Sequence, residues 1–240
     1  MRPLSPRQTG TPDWGVIEAV VFDFDGLLVE TEWPGFEAWQ TVFAEHGAEL
    51  ALEEFLVCIG TRYAIDWGDL LAVKTGRPGP TDAELRRRKE PLLDASVTDL
   101  PLLPGVIEWL HELGRRGLRC AIASSSERSW IDPHLDRLGV AHHFEVISSW
   151  DGPECGFPPK PAPDLYTRAC AALGVSPAVA LAVEDSANGV RAAKAAGMRC
   201  VAVPNRVTAS SDFSPADLVI ASLATTSLAD VLAQLEGDHP

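Results

Sequence analysis

Apolar positions fall along this chain in two rhythms, and the change between them divides it. Ala19 to Phe22 is an unbroken strand-forming run leading into Asp23-Phe24-Asp25-Gly26. Such a run reads as a buried strand of a parallel sheet, with Gly26 as its stop. From Trp33 to about Leu100 the spacing becomes helical. Phe36, Trp39, Val42 and Phe43 recur behind Pro34 as far as Gly47, and Leu52, Phe55, Leu56 and Ile59 as far as Gly60. Further helical segments run from Ala64 to Lys74, closed by Gly76, and onward from Thr81, which forms a capping box with Glu84.

Leu102 onward alternates strands and helices. The pattern predicts a helix from Pro104-Gly105 through Leu113, a strand Leu118–Ala123, a helix Ser129–Leu138 and a strand Phe144–Ile147. A proline-rich loop, 148–161, carries Lys160. There follow a helix Ala162–Leu173, a strand Val179–Val183, a helix Val190–Ala196, strands Arg199–Val203 and Leu218–Ile220, and a closing helix Leu223–Leu235. This order predicts an α/β fold: a Rossmann-like, mainly parallel sheet covered on both faces, with an inserted α-helical cap. The expected core is 14–31 plus 101–240 and the cap is 32–100. Residues 1–13, with Pro3, Pro6 and Pro12, are expected to be a flexible tail.

Composition narrows the partners. The 240 residues are 46% hydrophobic, enough to bury a full core. The formal net charge of -14 excludes nucleic acid and anionic membrane as expected partners. No apolar run suggests a signal peptide or a membrane span. The five cysteines have no metal-type or redox-type spacing, so they read as buried free thiols of a cytoplasmic protein.

The candidate chemistry lies at the strand ends. Asp23 and Asp25 end the first strand, Ser124 and Ser125 the second, and Glu184 and Asp185 a later one, while Lys160 follows a fourth. In a parallel sheet these ends share one edge, where open α/β sheets bind ligands. Alternation along the strand would start both aspartates on the same side. Each group also has a plain reading. The aspartates could be a solvated turn, the serines (Ser126 above all) helix caps, Glu184-Asp185 a pair suited to a helix N-terminus, and Lys160 a solvated loop lysine. Their convergence favours a site. Four carboxylates there would repel by roughly 4 kcal/mol per close pair at an effective dielectric near 20, which Lys160 alone cannot offset. A divalent cation with oxygen ligands can, and Mg²⁺ is the usual choice beside phosphate. The set points to phosphoryl transfer through an aspartyl-phosphate.

These residues resemble the haloacid dehalogenase-like hydrolases, in the phosphatase/phosphomutase branch similar to β-phosphoglucomutase. Asp23-Phe24-Asp25-Gly26 looks like the family's first motif, Ser124 the second, Lys160-Pro161-Ala162-Pro163-Asp164 the third, and Glu184-Asp185-Ser186 with Asn188-Gly189 the fourth. The resemblance implies that Asp23 is nucleophile and Mg²⁺ ligand. It implies that Asp25 is general acid/base with its backbone carbonyl on the metal, that Ser124, Ser125 and Lys160 bind phosphate, and that Asp185 with Glu184 completes the metal site. Residues 33–100 would be a cap that closes over a small phosphorylated metabolite. Arg62, Trp67 and Lys89 are candidate substrate contacts. Gly60-Thr61-Arg62 and Lys89 resemble positions that hold a second phosphate in the mutase. Three positions depart from the family pattern: Glu30 replaces a common Asp, Gly35 a histidine frequent in the mutases, and Pro159 a common glycine.

The expected activity is Mg²⁺-dependent hydrolysis of small phosphate monoesters, of the sugar or polyol phosphate kind. A sugar phosphomutase is the alternative. Dehalogenase or phosphonate hydrolase chemistry on the same fold is disfavoured by Asp25 and by the lack of an identifiable Schiff-base lysine.

Overall fold

Val20 and Phe22 pack on one side of the first strand, Ala19 and Val21 on the other, and this alternation organises the whole core. The computed structural model describes residues 16–62 and 64–237; the tail expected at 1–13 lies outside them. The strands are β1 (Ala19–Phe22), β2 (Arg119–Ser124), β3 (Val146–Ser149), β4 (Ala180–Glu184), β5 (Arg199–Ala202) and β6 (Leu218–Val219). They form one parallel sheet in the order β3-β2-β1-β4-β5-β6. β1 is therefore central, and the ends of β2 and β4 flank its own.

Helices α1 (Glu32–Glu45), α2 (Leu52–Leu56), α3 (Trp67–Thr75) and α4 (Asp82–Val97) make the insert. The rest are α5 (Val106–Arg116), α6 (Arg128–Leu138), α7 (Asp164–Leu173), α8 (Ala187–Ala195) and α9 (Leu228–Gly237). On one face of the sheet Val20, Phe22, Ile122 and Val183 meet large residues of α5, α6 and α9. On the other, Ala19, Ala121, Ala123 and Ala182 leave room for α7 and α8 to lie close. None of the described helices is long and apolar enough to cross a membrane.

The insert has its own core. Trp39 and Trp67 stack at 4.2 Å between ring centroids, with Phe43, Phe55, Leu71 and Leu85 around them. Its two connections to the sheet run side by side: Val29 and Leu102 form an antiparallel bridge, and Leu103 N–H donates to Leu28 O at 2.8 Å.

Several boundaries differ from the sequence pattern, each for a local reason. The third strand runs Val146–Ser149, two residues late, because a 3₁₀ turn at Ala141–His143 carries the chain past the sheet edge. Helix α3 starts at Trp67 rather than Ala64 because the Asp66 side chain caps it, accepting from Asp69 N at 2.9 Å. Helix α9 starts at Leu228 rather than Leu223. Ser222 first holds a turn, accepting from Ala224 N at 2.9 Å, and Ser227 then accepts from Asp230 N at 3.1 Å. The Thr81–Glu84 capping box forms as expected, with Thr81 N–H donating to Glu84 Oε2 at 2.9 Å.

Candidate active site

Asp23 continues the parity of Ala19 and Val21, so it faces α7, and the loop before α7 delivers Lys160 to meet it. Lys160 is fully buried and its Nζ donates to Asp23 Oδ1 and to Glu184 Oε1, each at 2.5 Å. Tyr166, about one turn into α7, donates its hydroxyl to the same Glu184 oxygen at 2.7 Å. The other oxygen of Glu184 accepts from Ser186 N and Oγ at 3.3 and 3.1 Å. Glu184 is thus held on both oxygens. Any Cβ at position 189 would run into its carboxylate, which accounts for Gly189. Asp185 differs: Oδ2 accepts from Asn205 Nδ2 at 2.8 Å, whereas Oδ1 is buried with no hydrogen-bond partner.

Asp25 turns the other way. Its Oδ1 accepts from Thr31 Oγ1 at 2.7 Å and from Trp130 Nε1 at 2.8 Å, and its Oδ2 from Ser126 Oγ at 2.5 Å. The expectation that both aspartates share a side therefore fails beyond Phe22, where β1 ends and strand alternation no longer applies. Ser126 also departs from the helix-cap reading. Glu127 occupies the N-cap position of α6, and Ser126 instead joins Asp25 to Arg62, whose Nη2 donates to Ser126 Oγ at 3.0 Å.

Ser124 Oγ accepts from Ser126 N at 3.0 Å, and Ser125 Oγ donates to Gly60 O at 3.0 Å and accepts from Lys160 N at 3.3 Å. The cap turn 59–62 sits directly on these loops. Asn188 Nδ2 donates to Ile59 O at 2.8 Å, Thr61 Oγ1 donates to Lys160 O, and Arg62 Nε donates to Ser125 O at 3.0 Å. Gly60, at φ +71°, passes so close to Ser186 that a Cβ would collide with its hydroxyl.

Between cap and sheet lies a cavity of about 350 Å³, with Asp23, Asp25, Ser124 and Ser125 on its floor and Arg62 and Lys89 on its walls. Trp67 reaches that wall only from inside the cap core: it is 2% exposed and stacked on Trp39, which makes it a packing residue. Gly35 also lines the cavity, leaving space where a larger residue would intrude.

Burial dominates the electrostatics. It pushes Asp23 up to about 8; Lys160 opposes the rise, while Glu184 and Asp25 add to it. Burial, then Asp23, Glu184 and Glu32, push Asp185 well above the usual carboxylate range. Glu32, at the start of α1, is raised by burial and then by Asp25 and Asp23. Burial alone would lower Lys160, but Asp23 and Glu184 more than reverse this. In the cap, burial followed by Arg62 and Arg86 pulls Lys89 down to about 8. Asp23, Glu184 and Asp185 place carboxylate oxygens within 4.8 Å of one another, all buried. A hard divalent cation fits this set, because it would meet the orphaned Asp185 Oδ1 and offset acids that Lys160 alone leaves under-compensated.

Sequence reasoning missed Thr31, Trp130, Tyr166 and Asn205. Asn205 stands just beyond β5, so the strand-end argument applied to that strand would have found it. Trp130 and Tyr166 lie inside helices, where an aromatic residue reads as core.

A model of the family described as haloacid dehalogenase-like hydrolase matches residues 20–203. The chain belongs to this family. Among proteins of this kind, it is 38% identical over 224 residues to YhcW of Bacillus subtilis, covering 93% of this chain and 100% of that one. It is 33% identical over 221 residues to hexitol phosphatase B of Escherichia coli, covering 90% and 97%. The crystal structure of CbbY from Rhodobacter sphaeroides in complex with phosphate superposes with a TM-score of 0.68 at 31% identity, over 90% of this chain and 99% of that one. A mutant of CbbY has been solved in complex with xylulose-(1,5)bisphosphate.

Proposed function

We propose that this haloacid dehalogenase-like hydrolase is a Mg²⁺-dependent phosphatase acting on small sugar or polyol phosphates through an aspartyl-phosphate. The observation that carries the reading is the buried Asp23–Lys160–Glu184 chain beside the unpartnered Asp185 oxygen, with Asp23 itself reaching the cavity under the cap. The relatives named above, one a hexitol phosphatase and one solved with phosphate and with a sugar bisphosphate, support the substrate class. In a chain of net charge -14, Arg62 and Lys89 on the cavity wall supply the local positive charge that an anionic substrate needs.

In this reading Asp23 attacks phosphorus. As the ester P–O bond breaks, Asp25 gives its proton to the departing sugar oxygen. Asp25 then takes a proton from water as that water attacks the aspartyl-phosphate. The bond from phosphorus to Asp23 breaks, orthophosphate leaves, and Asp25 is protonated again. Lys160 and the serines at 124 and 125 hold the phosphate oxygens. Asp23, Asp185 and the Asp25 carbonyl would hold Mg²⁺, with Glu184 positioning Lys160. The cation supplies positive charge that keeps Asp23 ionised and screens the incoming phosphate. Residues 32–100 act as the closing cap and exclude water. The five cysteines, all free, suit a reducing cytoplasmic setting.

A screen of phosphorylated sugars and polyols, read as phosphate release, tests the function directly. Release that requires Mg²⁺ and stops with EDTA is expected. Conversion of β-glucose 1-phosphate to glucose 6-phosphate without free phosphate would instead assign a phosphomutase.

Metal binding should also be visible in stability. Asp23 and Asp185 bind protons more tightly folded than unfolded, so the metal-free protein loses stability as pH rises from about 4 to about 8. Mg²⁺ competes with those protons, so its effect grows over the same window. At a hundredfold excess over its dissociation constant it should add about 2.7 kcal/mol near pH 8, roughly 5–10 °C in Tm, and clearly less near pH 5. Equal Tm shifts at both pH values in a melting assay would contradict this account of the acidic cluster.

A further inference from the structure

We infer that Trp130 is a positioning residue for proton transfer: its indole N–H fixes Asp25 so that the proton is carried on Oδ2, the oxygen from which it is given up. This inference rests on the phosphatase reading and adds to it a residue outside the four motifs.

Among the described residues three side chains hydrogen-bond to Asp25, and they are not equivalent. Thr31 and Ser126 meet it through hydroxyls, which can turn and either donate or accept. Trp130 meets Oδ1 at 2.8 Å through an indole N–H, which can only donate. A proton on Oδ1 would therefore face another proton. On Oδ2 it meets the Ser126 hydroxyl, which can rotate to accept it. The asymmetry comes from Trp130 alone.

The indole is also held in place. Its ring packs edge-on against His134 at 4.8 Å between centroids, and His134 in turn packs against Phe24, the residue between the two aspartates, at 5.9 Å. His134 is buried, and burial followed by Arg137 lowers its basicity. Trp130 further lines the cavity together with Asp25 and Ser126. A residue serving only the core would not need its one polar atom aimed at a partly exposed carboxylate on the cavity floor.

A general acid matters in proportion to how poor the leaving group is. An alkoxide cannot leave a phosphate without a proton, whereas p-nitrophenolate can. The ratio kcat/KM ends at leaving-group departure, so it excludes the later water step common to both substrates. Trp130→Phe keeps an aromatic ring and deletes only the N–H. It should lower kcat/KM for a sugar or polyol phosphate by about tenfold or more, within the 10²–10⁴-fold that general acid–base catalysis contributes. For p-nitrophenyl phosphate kcat/KM should fall less than about threefold by the same reasoning, and that near-normal value itself reports a folded variant. Thr31→Val, which removes the two-way hydroxyl on Oδ1 but leaves the one-way donor in place, should not separate the two substrates, and a substrate-selective loss as large as that of Trp130→Phe would overturn the assignment. Equal losses of kcat/KM on both substrates, or no loss on either, would overturn the assignment of Trp130. Wild-type protein inactive on every phosphate ester would overturn the phosphatase reading, and this inference with it.

Discussion

Asp23→Asn abolishes phosphate release, by at least about 10⁴-fold, on every substrate that the wild-type chain hydrolyses. An amide nitrogen or oxygen at that place cannot form the acyl phosphate, and loss of a covalent nucleophile typically costs as much as loss of the whole catalytic unit. The substitution keeps the size and the burial of the side chain, so the fold should persist. Asp23 is driven up to about 8 mainly by burial, and a neutral amide removes that penalty. The variant should therefore melt no lower than wild type at about pH 8 in EDTA, while binding Mg²⁺ more weakly. It should also fail to take up phosphate from a ³²P-labelled substrate. Residual turnover above background in a variant confirmed by mass spectrometry would remove Asp23 from the nucleophile role.

The second large effect falls on stability. Lys160→Met should destabilise the metal-free protein by about 3–5 kcal/mol, the usual result of stripping one partner from a buried ion pair. In a chain of this length that is roughly 6–20 °C in Tm. Lys160 is the cation that Asp23 and Glu184 both contact, and it is fully buried. Methionine fills much of the volume but leaves both carboxylates facing each other. The loss should be greater at about pH 8 than at about pH 5, because Asp23, whose folded affinity for protons is raised, can relieve the repulsion by protonation only at the lower pH. Activity should fall too, since Lys160 is assigned to the phosphate. A thermal melt unchanged at about pH 8 would mean that Tyr166 and Ser186, the other donors to Glu184, carry the cluster without the lysine.

These predictions draw unequally on sequence and structure. Asp23 was legible because it continues a strand: once Ala19 to Phe22 is read as β1, parity assigns the next side chain a face, and Lys160 is the cation beside it. Lys160 was legible through its place after a strand on the shared edge and through motif order, but nothing in a proline-rich loop states where its lysine points. Glu184 and Asp185 were read as one pair, but the structure separates them. One is saturated by Lys160, Tyr166 and Ser186, and the other keeps a buried oxygen without a partner. Trp67 shows the opposite limit. A tryptophan in the cap reads as a substrate contact on chemistry alone, yet its stacking on Trp39 commits it to packing.

The sequence by itself determined the parallel sheet, the helical insert and the shared edge of polar strand ends, with an acidic cluster that could hold a metal ion. These follow from side-chain periodicity and charge, both of which are local along the chain. Only the tertiary structure decided where Asp25 points and what holds it. Its neighbours Ser126 and Trp130 lie 101 and 105 residues away in sequence. Past Phe22 the strand ends and alternation ends with it. From there a side chain's direction is set by whichever distant loops and helices pack against it, and no local period carries that information.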